Sequence, residues 1–430
     1  MDNYYKKISQ FIVWDLIETI KIIGTIQKYD KNHFLNSITL GHRNAVKKYK
    51  KYKFALVFFD RLYNTILKLF LKRRKEGKRF LFYGIKNYPS LPSEMNKNHK
   101  VTMLVSGKPD RLFALKNLIS YLSITDLHQD IYNYLNRRDD KYLCELVEKV
   151  EKRIKTINPD YIVLDGDCLP IQRAIILASR KLEAITIFIQ DAIYSSTSPL
   201  IDGKAVDYIL VLGEYYKNLY IKQGVGKPEN IYILGYPQMI EKNEKKQIAK
   251  DYYTVYYLGQ ALELYNKNLL DVKLETVREI NKICKKIDMK FIYRPHPADN
   301  RKMLKIRLPG VSLVPERESL TETFAHGDIF ISFSSTSLVE AAMRSKFCLQ
   351  LTNFPGKVDN FGKLGISDNT FNTIEELEKY LIELSKSPSL DKFKSKFNNN
   401  YIQLFPNPTA RFLEIIDDIE KNKKIFETEE

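Results

Sequence analysis

The amino-acid sequence predicts an α/β protein in which two Rossmann-like domains face a cleft, preceded by a helical extension. Three observations predict this architecture. The chain has 430 residues, more than one hydrophobic core usually organises, so two domains are expected. Two series of short apolar runs alternate with helical stretches, a pattern typical of parallel sheets covered on both faces. A charged segment, residues 241–246, separates the two series.

The helical extension is predicted to span residues 1–78. Apolar residues recur at helical spacing from Ile12 onward, without strand-like alternation. Fourteen Lys or Arg and only two acids lie between residues 43 and 79, so this segment holds most of the net charge of +17. Aromatic and aliphatic residues are interleaved with these charges, and we expect the segment to bind an anionic membrane surface. The alternative is a basic helical face that packs its aromatics on the domain behind it.

The two series of apolar runs define the domains. Residues 79–240 are predicted to form an N-terminal Rossmann-like acceptor domain, and residues 241–405 a C-terminal Rossmann-like nucleotide-sugar domain. Two such domains across a cleft form the architecture called GT-B. Residues 406–430 are predicted to form a helix that crosses back to the first domain. The predicted strands are residues 80–83, 101–105, 161–164, 185–189, 208–212, 231–234, 255–258, 291–293, 312–314, 329–331 and 347–351.

The composition excludes several other classes of protein. The four cysteines stand far apart, with neither a Cys-x-x-Cys pair nor zinc-finger spacing, and are expected to be reduced core residues. Charges interrupt the apolar residues near the N-terminus, which argues against a signal peptide. No window offers the roughly 20 apolar residues of a membrane-spanning helix. We therefore expect a cytoplasmic protein, peripheral at the inner face of the membrane if the basic segment binds there.

One histidine carries the strongest chemical signal. His296 follows a predicted strand within Tyr293-Arg294-Pro295-His296-Pro297, and ligands of open α/β sheets bind beyond the carboxyl ends of strands. The two prolines fix the backbone on either side of the imidazole. Beside a nucleotide phosphate, such a histidine could stabilise or protonate the leaving group. The alternative is a strand-end histidine that only satisfies a backbone carbonyl.

Two further loops follow strands of the second series. Ser334-Ser335-Thr336-Ser337 lies between a predicted strand and a predicted helix, where free backbone N–H groups and hydroxyls can hold a phosphate. Ordinary helix capping also favours Ser and Thr at such positions. Gly259 and Gln260 follow the first strand of the second series, and glycine there permits a close approach of backbone to ligand. As a bare pattern, this is also a common strand-to-helix turn.

The first domain offers two carboxylates at strand ends. Asp165 lies in Leu164-Asp165-Gly166-Asp167, and Asp191 follows Gln190 after the next predicted strand. Either is placed to act as a general base on a group in the cleft. The Asp-x-Asp spacing could suit a divalent cation, but the phosphate-binding signals lie in the other domain. We therefore expect neither a metal nor a cofactor.

In these motifs the chain resembles bacterial GT-B sialyltransferases of the lipooligosaccharide and polysialic acid type, which use CMP-sialic acid. The resemblance rests on His296-Pro297, Ser334-Ser335 and Leu258-Gly259-Gln260. Those families carry an acidic motif in the first domain, for which Gln190-Asp191-Ala192 is the nearest counterpart, although it departs from the pattern at its first and third residues. Residues 213–224 and 230–237 are also similar to a wider group of capsule-building transferases, which includes Kdo transferases and CDP-glycerol phosphotransferases.

The resemblance implies an inverting, metal-independent glycosyltransferase that moves a nonulosonic acid from its CMP donor to a surface glycan or glycolipid acceptor. Asp191 would be the base, with Asp165 as the fallback, and His296 would assist the departing phosphate. Alternatives are another capsule or cell-wall transferase with a CMP or CDP donor, and an NDP-sugar epimerase, which would need no acceptor. A nucleic-acid-binding module is not expected, because positive charge alone gives mainly nonspecific binding. The implied nucleotide-sugar-binding residues are Gly259, Gln260, Arg294, Pro297, Ser334, Ser335 and Thr336.

Overall fold

The computed structural model contains two parallel sheets, each covered by helices. This confirms the predicted α/β fold of two Rossmann-like domains. The charged segment at residues 241–246 and the candidate base Asp191 lie outside the described residues. The described residues are 7, 10–12, 31–71, 77–84, 88, 90–190, 193–194, 199–200, 202–237, 252–264, 267–353 and 359–429.

The first sheet has seven parallel strands in the order β3-β2-β1-β4-β5-β6-β7. Its strands are β1 (Arg79–Tyr83), β2 (Lys100–Val105), β3 (Ser120–Ser123), β4 (Tyr161–Leu164), β5 (Ile185–Ile189), β6 (Tyr208–Val211) and β7 (Ile231–Ile233). A long helix, α1 (Lys31–Leu71), precedes them. The connecting helices are α2 (Ser90–Met95), α3 (Lys108–Lys116), α4 (His128–Arg137), α5 (Lys141–Ile157), α6 (Pro170–Arg180) and α7 (Glu214–Lys222).

The second sheet has five parallel strands in the order β12-β11-β10-β8-β9. Its strands are β8 (Thr254–Leu258), β9 (Lys290–Arg294), β10 (Ile329–Ser332), β11 (Phe347–Leu351) and β12 (Asn369–Phe371). The helices are α8 (Leu269–Lys286), α9 (Arg301–Arg307), α10 (Leu320–His326), α11 (Thr336–Met343), α12 (Ile374–Ser385) and the C-terminal α13 (Pro408–Glu429).

Burial explains why the sequence located most strands and misjudged a few. Strands β4, β8, β10 and β11 are buried along their whole length, so they are continuous apolar runs. The strand predicted at residues 312–314 is wrong, because Leu313 forms only an isolated bridge with Tyr293. Strands β3 and β12 were not predicted, since both lie at sheet edges and are short and partly polar.

The strand order creates one topological switch point in each sheet. In the first sheet the chain runs outward from β1 to β3 and then returns to the other side of β1 with β4. In the second, β9 lies on one side of β8 and β10 on the other. Loops at the carboxyl ends of such strand pairs diverge and leave a crevice where ligands bind. The two crevices are therefore bounded by the loops after β1 and β4, and by those after β8 and β10.

The C-terminal segment returns to the first domain and packs there. The Gln403 N–H donates to the Leu212 carbonyl at 2.8 Å, and the Gln403 carbonyl accepts from the Tyr236 N–H at 2.8 Å. Helix α13 then buries Phe412, Ile415, Ile416 and Ile419 completely, in one cluster with strand β1. The end of the chain thus crosses from the second sheet back to the first.

Helix α1 covers the open edge of the first sheet at β3. The Asn64 side chain donates to the Tyr121 carbonyl at 2.8 Å and accepts from the Tyr121 N–H at 3.2 Å. It thereby occupies backbone groups that an edge strand would expose. Tyr63 stacks on the Tyr121 ring with centroids 5.3 Å apart. Among the described residues, no helix combines the length and hydropathy needed to cross a membrane.

Candidate functional site

Three loops predicted to bind a nucleotide meet at the carboxyl edge of the second sheet. The Gln260 amide oxygen accepts from the Ser334 N–H at 3.1 Å, and its amide nitrogen lies 3.3 Å from the Ser334 hydroxyl. The Gly259 N–H donates to the Arg294 carbonyl at 2.8 Å. The loops after β8, β9 and β10 are thus joined by hydrogen bonds at the switch point.

Gly259 is needed for this junction because of close packing. A Cβ atom there would lie 2.8 Å from the Tyr293 hydroxyl oxygen and 3.0 Å from the Arg294 carbonyl oxygen. The Tyr293 side chain is fully buried, so it has little room to move. The glycine was expected to allow a ligand to approach; in the structure it allows the neighbouring strand end to approach.

The serine turn is a capped helix N-terminus. Ser335 is the N-cap of α11, and its hydroxyl accepts from the Ser337 N–H at 3.2 Å. The Gln260 side chain accepts from the Ser334 N–H. The Gln260 and Ser335 side chains therefore do not occupy the two N–H groups between these positions, those of Ser335 and Thr336. The turn is therefore an ordinary helix cap at the positive end of a helix dipole, and phosphate binding there stays a prediction.

A fully buried ion pair lies beneath the His296 loop. The Lys273 ammonium is 2.9 Å from one Asp299 carboxylate oxygen and 2.6 Å from the Glu263 carboxylate. The other Asp299 oxygen accepts from the His296 N–H at 2.9 Å and from the Tyr293 hydroxyl at 3.1 Å. Sequence reasoning missed Lys273, although a lysine on the buried face of α8 among Leu269, Thr276 and Ile280 was a usable signal.

The His296 ring lies at the surface above this network. Its Nδ1 accepts from the Ala298 N–H at 3.1 Å, so the neutral ring carries its proton on Nε2. Partial desolvation lowers the pKa of His296, and Lys273 acts in the same direction, while Asp299 and Glu263 oppose it. The ring is therefore mainly neutral at pH 7 and offers one N–H donor at Nε2. The sequence had suggested a protonated imidazole.

Arg294 and Pro297 occupy different surroundings. Pro297 is exposed next to His296. The Arg294 guanidinium turns toward the start of α10, where one nitrogen donates to the Glu318 carbonyl at 3.2 Å and the Thr323 hydroxyl at 2.5 Å. Arg294 thus holds the β9 loop against α10.

In the first domain, Asp165 lies at the switch point between β1 and β4. One carboxylate oxygen accepts from the Gln172 amide at 3.0 Å. Gly84, which follows β1 and has a φ of +79°, packs against this carboxyl group, and a Cβ there would lie 1.9 Å from the carboxyl carbon. Asp165 is half-buried. The Asp165 carboxylate is thus held at the carboxyl edge of the first sheet, where the crevice opens.

Asp167 and Gln190 have structural roles close by. The completely buried Asp167 carboxylate accepts from the Gly203 N–H at 2.9 Å and the Ala205 N–H at 2.6 Å. Burial and the neighbouring Asp202 raise the pKa of Asp167 to about 7. Gln190 is also fully buried and accepts from the Leu212 N–H at 3.2 Å. Among the described residues, no three His, Cys, Asp or Glu side chains are arranged to hold a metal ion.

One polar contact joins the two domains beside the serine turn. Glu340, in α11, lies beside the Tyr236 hydroxyl of the loop after β7, which acts to lower the pKa of Glu340. Burial raises the pKa of Glu340, and Arg344, with a guanidinium nitrogen 3.6 Å from the carboxylate, opposes that shift. The sequence pattern gave no reason to single out Glu340, because a glutamate inside a helix is usually solvated.

Comparison of the whole fold identifies what this arrangement is similar to. No protein-family model and no curated protein sequence matches the chain. Solved structures do match. The UDP-GlcNAc 2-epimerase of Neisseria meningitidis, solved bound to UDP-GlcNAc, aligns with a TM-score of 0.57 at 13% identity, over 79% of this chain and 99% of that chain. The fold is shared with the UDP-GlcNAc 2-epimerases.

Two further solved structures show how far the likeness extends. The Methanocaldococcus jannaschii UDP-GlcNAc 2-epimerase aligns with a TM-score of 0.53 at 16% identity, over 79% of this chain and 98% of that one. A glycosyltransferase from Rickettsia africae aligns with a TM-score of 0.51 at 12% identity, over 81% of this chain and 100% of that one. At these identities the likeness concerns the fold.

The inference of a CMP-sialic acid glycosyltransferase is therefore wrong. The similar structures are named mainly as UDP-GlcNAc 2-epimerases, and the expected resemblance to sialyltransferases is not found. The motifs misled for a physical reason. A histidine loop and a capped helix N-terminus can hold a phosphate in any nucleotide-sugar protein of this fold. Neither motif indicates which base or which sugar is bound. The predicted glycan acceptor belonged to that inference and gains no support.

Proposed function

We propose that this protein binds a nucleoside diphosphate sugar between its two sheets and acts on it as an NDP-sugar epimerase, with no acceptor. The observation that carries the proposal is the convergence of three loops beside His296 at the switch point of the second sheet. The shared fold of the UDP-GlcNAc 2-epimerases, one of them solved with UDP-GlcNAc, supports this proposal. UDP is accordingly the first nucleotide to test.

The second domain would hold the diphosphate. The Ser335 and Thr336 N–H groups lie at the N-terminus of α11, where the helix dipole favours an anion. Neutral His296 would donate its Nε2–H to a phosphate oxygen without having to take up a proton first. The buried Lys273–Asp299 pair would keep the His296 loop in place, because Asp299 accepts from the His296 N–H.

The first domain would act on the sugar. Epimerisation breaks a C–H bond at one ring carbon and forms it again on the opposite face, so a base must accept the proton and an acid must return one. Asp165 is the better supported base, because β1 and β4 form the switch point at which it lies. Asp191 remains a second candidate, outside the described residues.

Turnover in D2O without an acceptor tests the proposal. The protein is incubated with UDP-GlcNAc, and then with other UDP, CDP and GDP sugars, and the products are followed by proton NMR. We expect a second diastereomer that carries deuterium at the inverted carbon. His296→Ala removes a hydrogen bond to a charged phosphate, worth about 1.5–3 kcal/mol, and should lower kcat/KM about 10–150-fold, with an unchanged melting temperature because the ring is exposed. His326→Ala is the matched control, since His326 is exposed at the end of α10.

Thermal shifts with UDP, CDP and CMP separate binding from chemistry. A ligand at about 100 times its Kd stabilises the native state by about 2.7 kcal/mol. We expect UDP to give the largest shift. A shift with UDP but no turnover of any sugar would reject the epimerase and keep the nucleotide site. If no nucleotide shifts the melting temperature and no sugar is turned over, the whole proposal fails.

We also propose that residues 43–79 bring the protein to an anionic membrane surface. Their charge supports this, with fourteen Lys or Arg against two acids. Among the described side chains, Lys47, Lys48, Lys50 and Lys51 are exposed on α1. Co-sedimentation with phosphatidylglycerol vesicles should decline as salt rises. Equal binding to phosphatidylcholine vesicles, or tighter binding to an oligonucleotide at physiological salt, would contradict the proposal.

A further inference from the structure

Exposed apolar side chains are concentrated on one face of the molecule. Ten of the thirteen exposed large hydrophobic residues among the described ones lie on α1 or on α3 and the residues just after it. On α1, Phe54, Phe58, Leu62 and Ile66 recur every fourth residue and form one ridge of the helix. Soluble monomers seldom leave so many large side chains together in water.

An open groove of about 380 Å³ lies between α1 and α3. Its walls are Leu56, Phe59, Leu62, Tyr63 and Ile66 from α1, and Leu112 and Leu115 from α3. This volume is within the range of small-ligand sites, about 300–1,000 Å³. The groove thus continues the exposed ridge into the protein and provides space for an apolar ligand.

The polar groups at the bottom of the groove are already paired within the protein. The Asp60 carboxylate accepts from the Tyr121 hydroxyl at 2.6 Å and lies 3.3 Å from the Arg111 guanidinium. Arg111 also donates to the Ser123 hydroxyl at 2.5 Å and to the Thr125 hydroxyl at 2.9 Å. The groove therefore offers apolar walls above a base in which Asp60, Tyr121 and Arg111 interact with one another, which suits a hydrocarbon chain better than a sugar or a nucleotide.

Positive charge surrounds this apolar surface. The ridge continues toward the N-terminus of α1 into exposed lysines, Lys47, Lys50 and Lys51, and Lys108 of α3 lines the groove. A ligand that fills the groove and meets these lysines combines a hydrocarbon chain with an anionic headgroup. Charge complementarity thus favours an anionic phospholipid over a second copy of this chain, which would bring the same positive charge into contact with itself.

We propose that the groove between α1 and α3 takes up part of an acyl chain of an anionic phospholipid, with α1 lying along the bilayer surface. The inference rests on the proposed membrane binding of residues 43–79 and adds the site at which lipid enters. Phe54, Phe58, Leu62 and Ile66 enter the layer between headgroups and acyl chains. The exposed lysines of α1 contact the phosphates.

A tryptophan placed in the groove tests this site. Trp14, the one tryptophan in the sequence, is replaced by Phe, and Phe59→Trp or, as the control, Ile306→Trp is added. Ile306 is 79% exposed on α9 of the second domain. With phosphatidylglycerol vesicles that carry brominated acyl chains, we expect the Phe59→Trp protein to lose roughly half of its tryptophan emission, because interfacial helices bury their apolar face about 5–10 Å deep. The emission of the Ile306→Trp protein should not change.

Each other result has a distinct meaning. Vesicle binding without quenching of the Phe59→Trp protein rejects the groove and keeps the charged membrane surface. If the protein does not bind the vesicles, both the lipid site in the groove and the charged membrane surface are rejected. If the emission of the Phe59→Trp protein shifts to the blue with protein concentration alone, and light scattering detects a dimer, the occupant is a second copy and the lipid proposal is overturned. If Phe59→Trp does not fold, Leu112→Asn against Ile306→Asn replaces it, and a roughly tenfold loss of vesicle affinity is expected for Leu112→Asn alone.

Discussion

The loops of the two domains are held by buried carboxylates that are compensated in different ways. Asp299 supports the His296 loop and is paired with Lys273, whose side chain is completely buried. Asp167 supports the chain at Gly203 and Ala205 through their N–H groups, and the neighbouring carboxylate of Asp202 raises its pKa. One acid is balanced by a cation, and the other by backbone dipoles.

This difference bears on what disturbs each support. Removal of one partner from a buried ion pair leaves the other charge uncompensated in the interior. A carboxylate held by N–H groups beside another acid is easier to protonate, and the pKa of Asp167 is accordingly raised to about 7. The first-domain loop is therefore supported by a group that titrates near neutral pH.

Lys273→Met is expected to have the largest effect. It leaves Asp299 buried without its cation, and removal of one partner from a buried ion pair costs about 3–5 kcal/mol. Urea denaturation measures this loss. Lys282→Met is the matched control on the same helix, because the Lys282 side chain is 79% exposed, and it should change stability by less than about 0.5 kcal/mol. Equal effects of the two substitutions would show that the pair does not support the loop.

Asp167→Asn tests the buried carboxylate that is held by backbone N–H groups instead of a cation. The pKa of Asp167 is higher in the folded protein, about 7, than its ordinary value of 3.8. The stability that it contributes is therefore fully present below about pH 4 and is lost as the pH rises through about 7. Asn does not titrate and leaves one N–H without an acceptor, at a cost of about 1–3 kcal/mol at pH 5.

The measurement is urea denaturation of both proteins between pH 5 and pH 8. The wild type should lose its advantage over Asp167→Asn as the pH rises. A stability difference that stays constant over this range would mean that the buried acid does not titrate there, and the contrast between the two domains would disappear.

Ser335→Ala has the smallest expected effect and separates capping from ligand binding. Loss of an N-cap costs about 1 kcal/mol. Thr373→Ala removes the N-cap of α12 in the same domain, where the Thr373 hydroxyl accepts from the Glu376 N–H at 3.2 Å, so both variants should lose similar stability. If the serine turn holds the diphosphate, Ser335→Ala alone should also reduce the thermal shift caused by UDP. If UDP raises the melting temperature of both variants equally, Ser335 serves only as a helix cap.

Much of the candidate site could be found from the sequence because its residues follow buried strands. His296, Ser334, Ser335 and Gly259 all lie just beyond continuous apolar runs, and parallel strands place such positions at one edge of a sheet. The partners of these residues could not be found in the same way. Lys273 reaches Asp299 from α8, and Gln260 reaches Ser334 across 74 residues of sequence. Local periodicity contains no information about contacts between distant elements.

The sequence by itself determined the α/β class, the two domains and most of their strands, because buried parallel strands must be apolar and helices must alternate with them. The tertiary structure alone decided which strands are neighbours. That order places Asp165 and the Gln260–Ser334 junction at the two switch points. It also directs Arg294 to the start of α10 and brings α1 against β3 and α3 to form the groove. Strand order depends on long-range packing of similar apolar surfaces, and no short stretch of sequence specifies it.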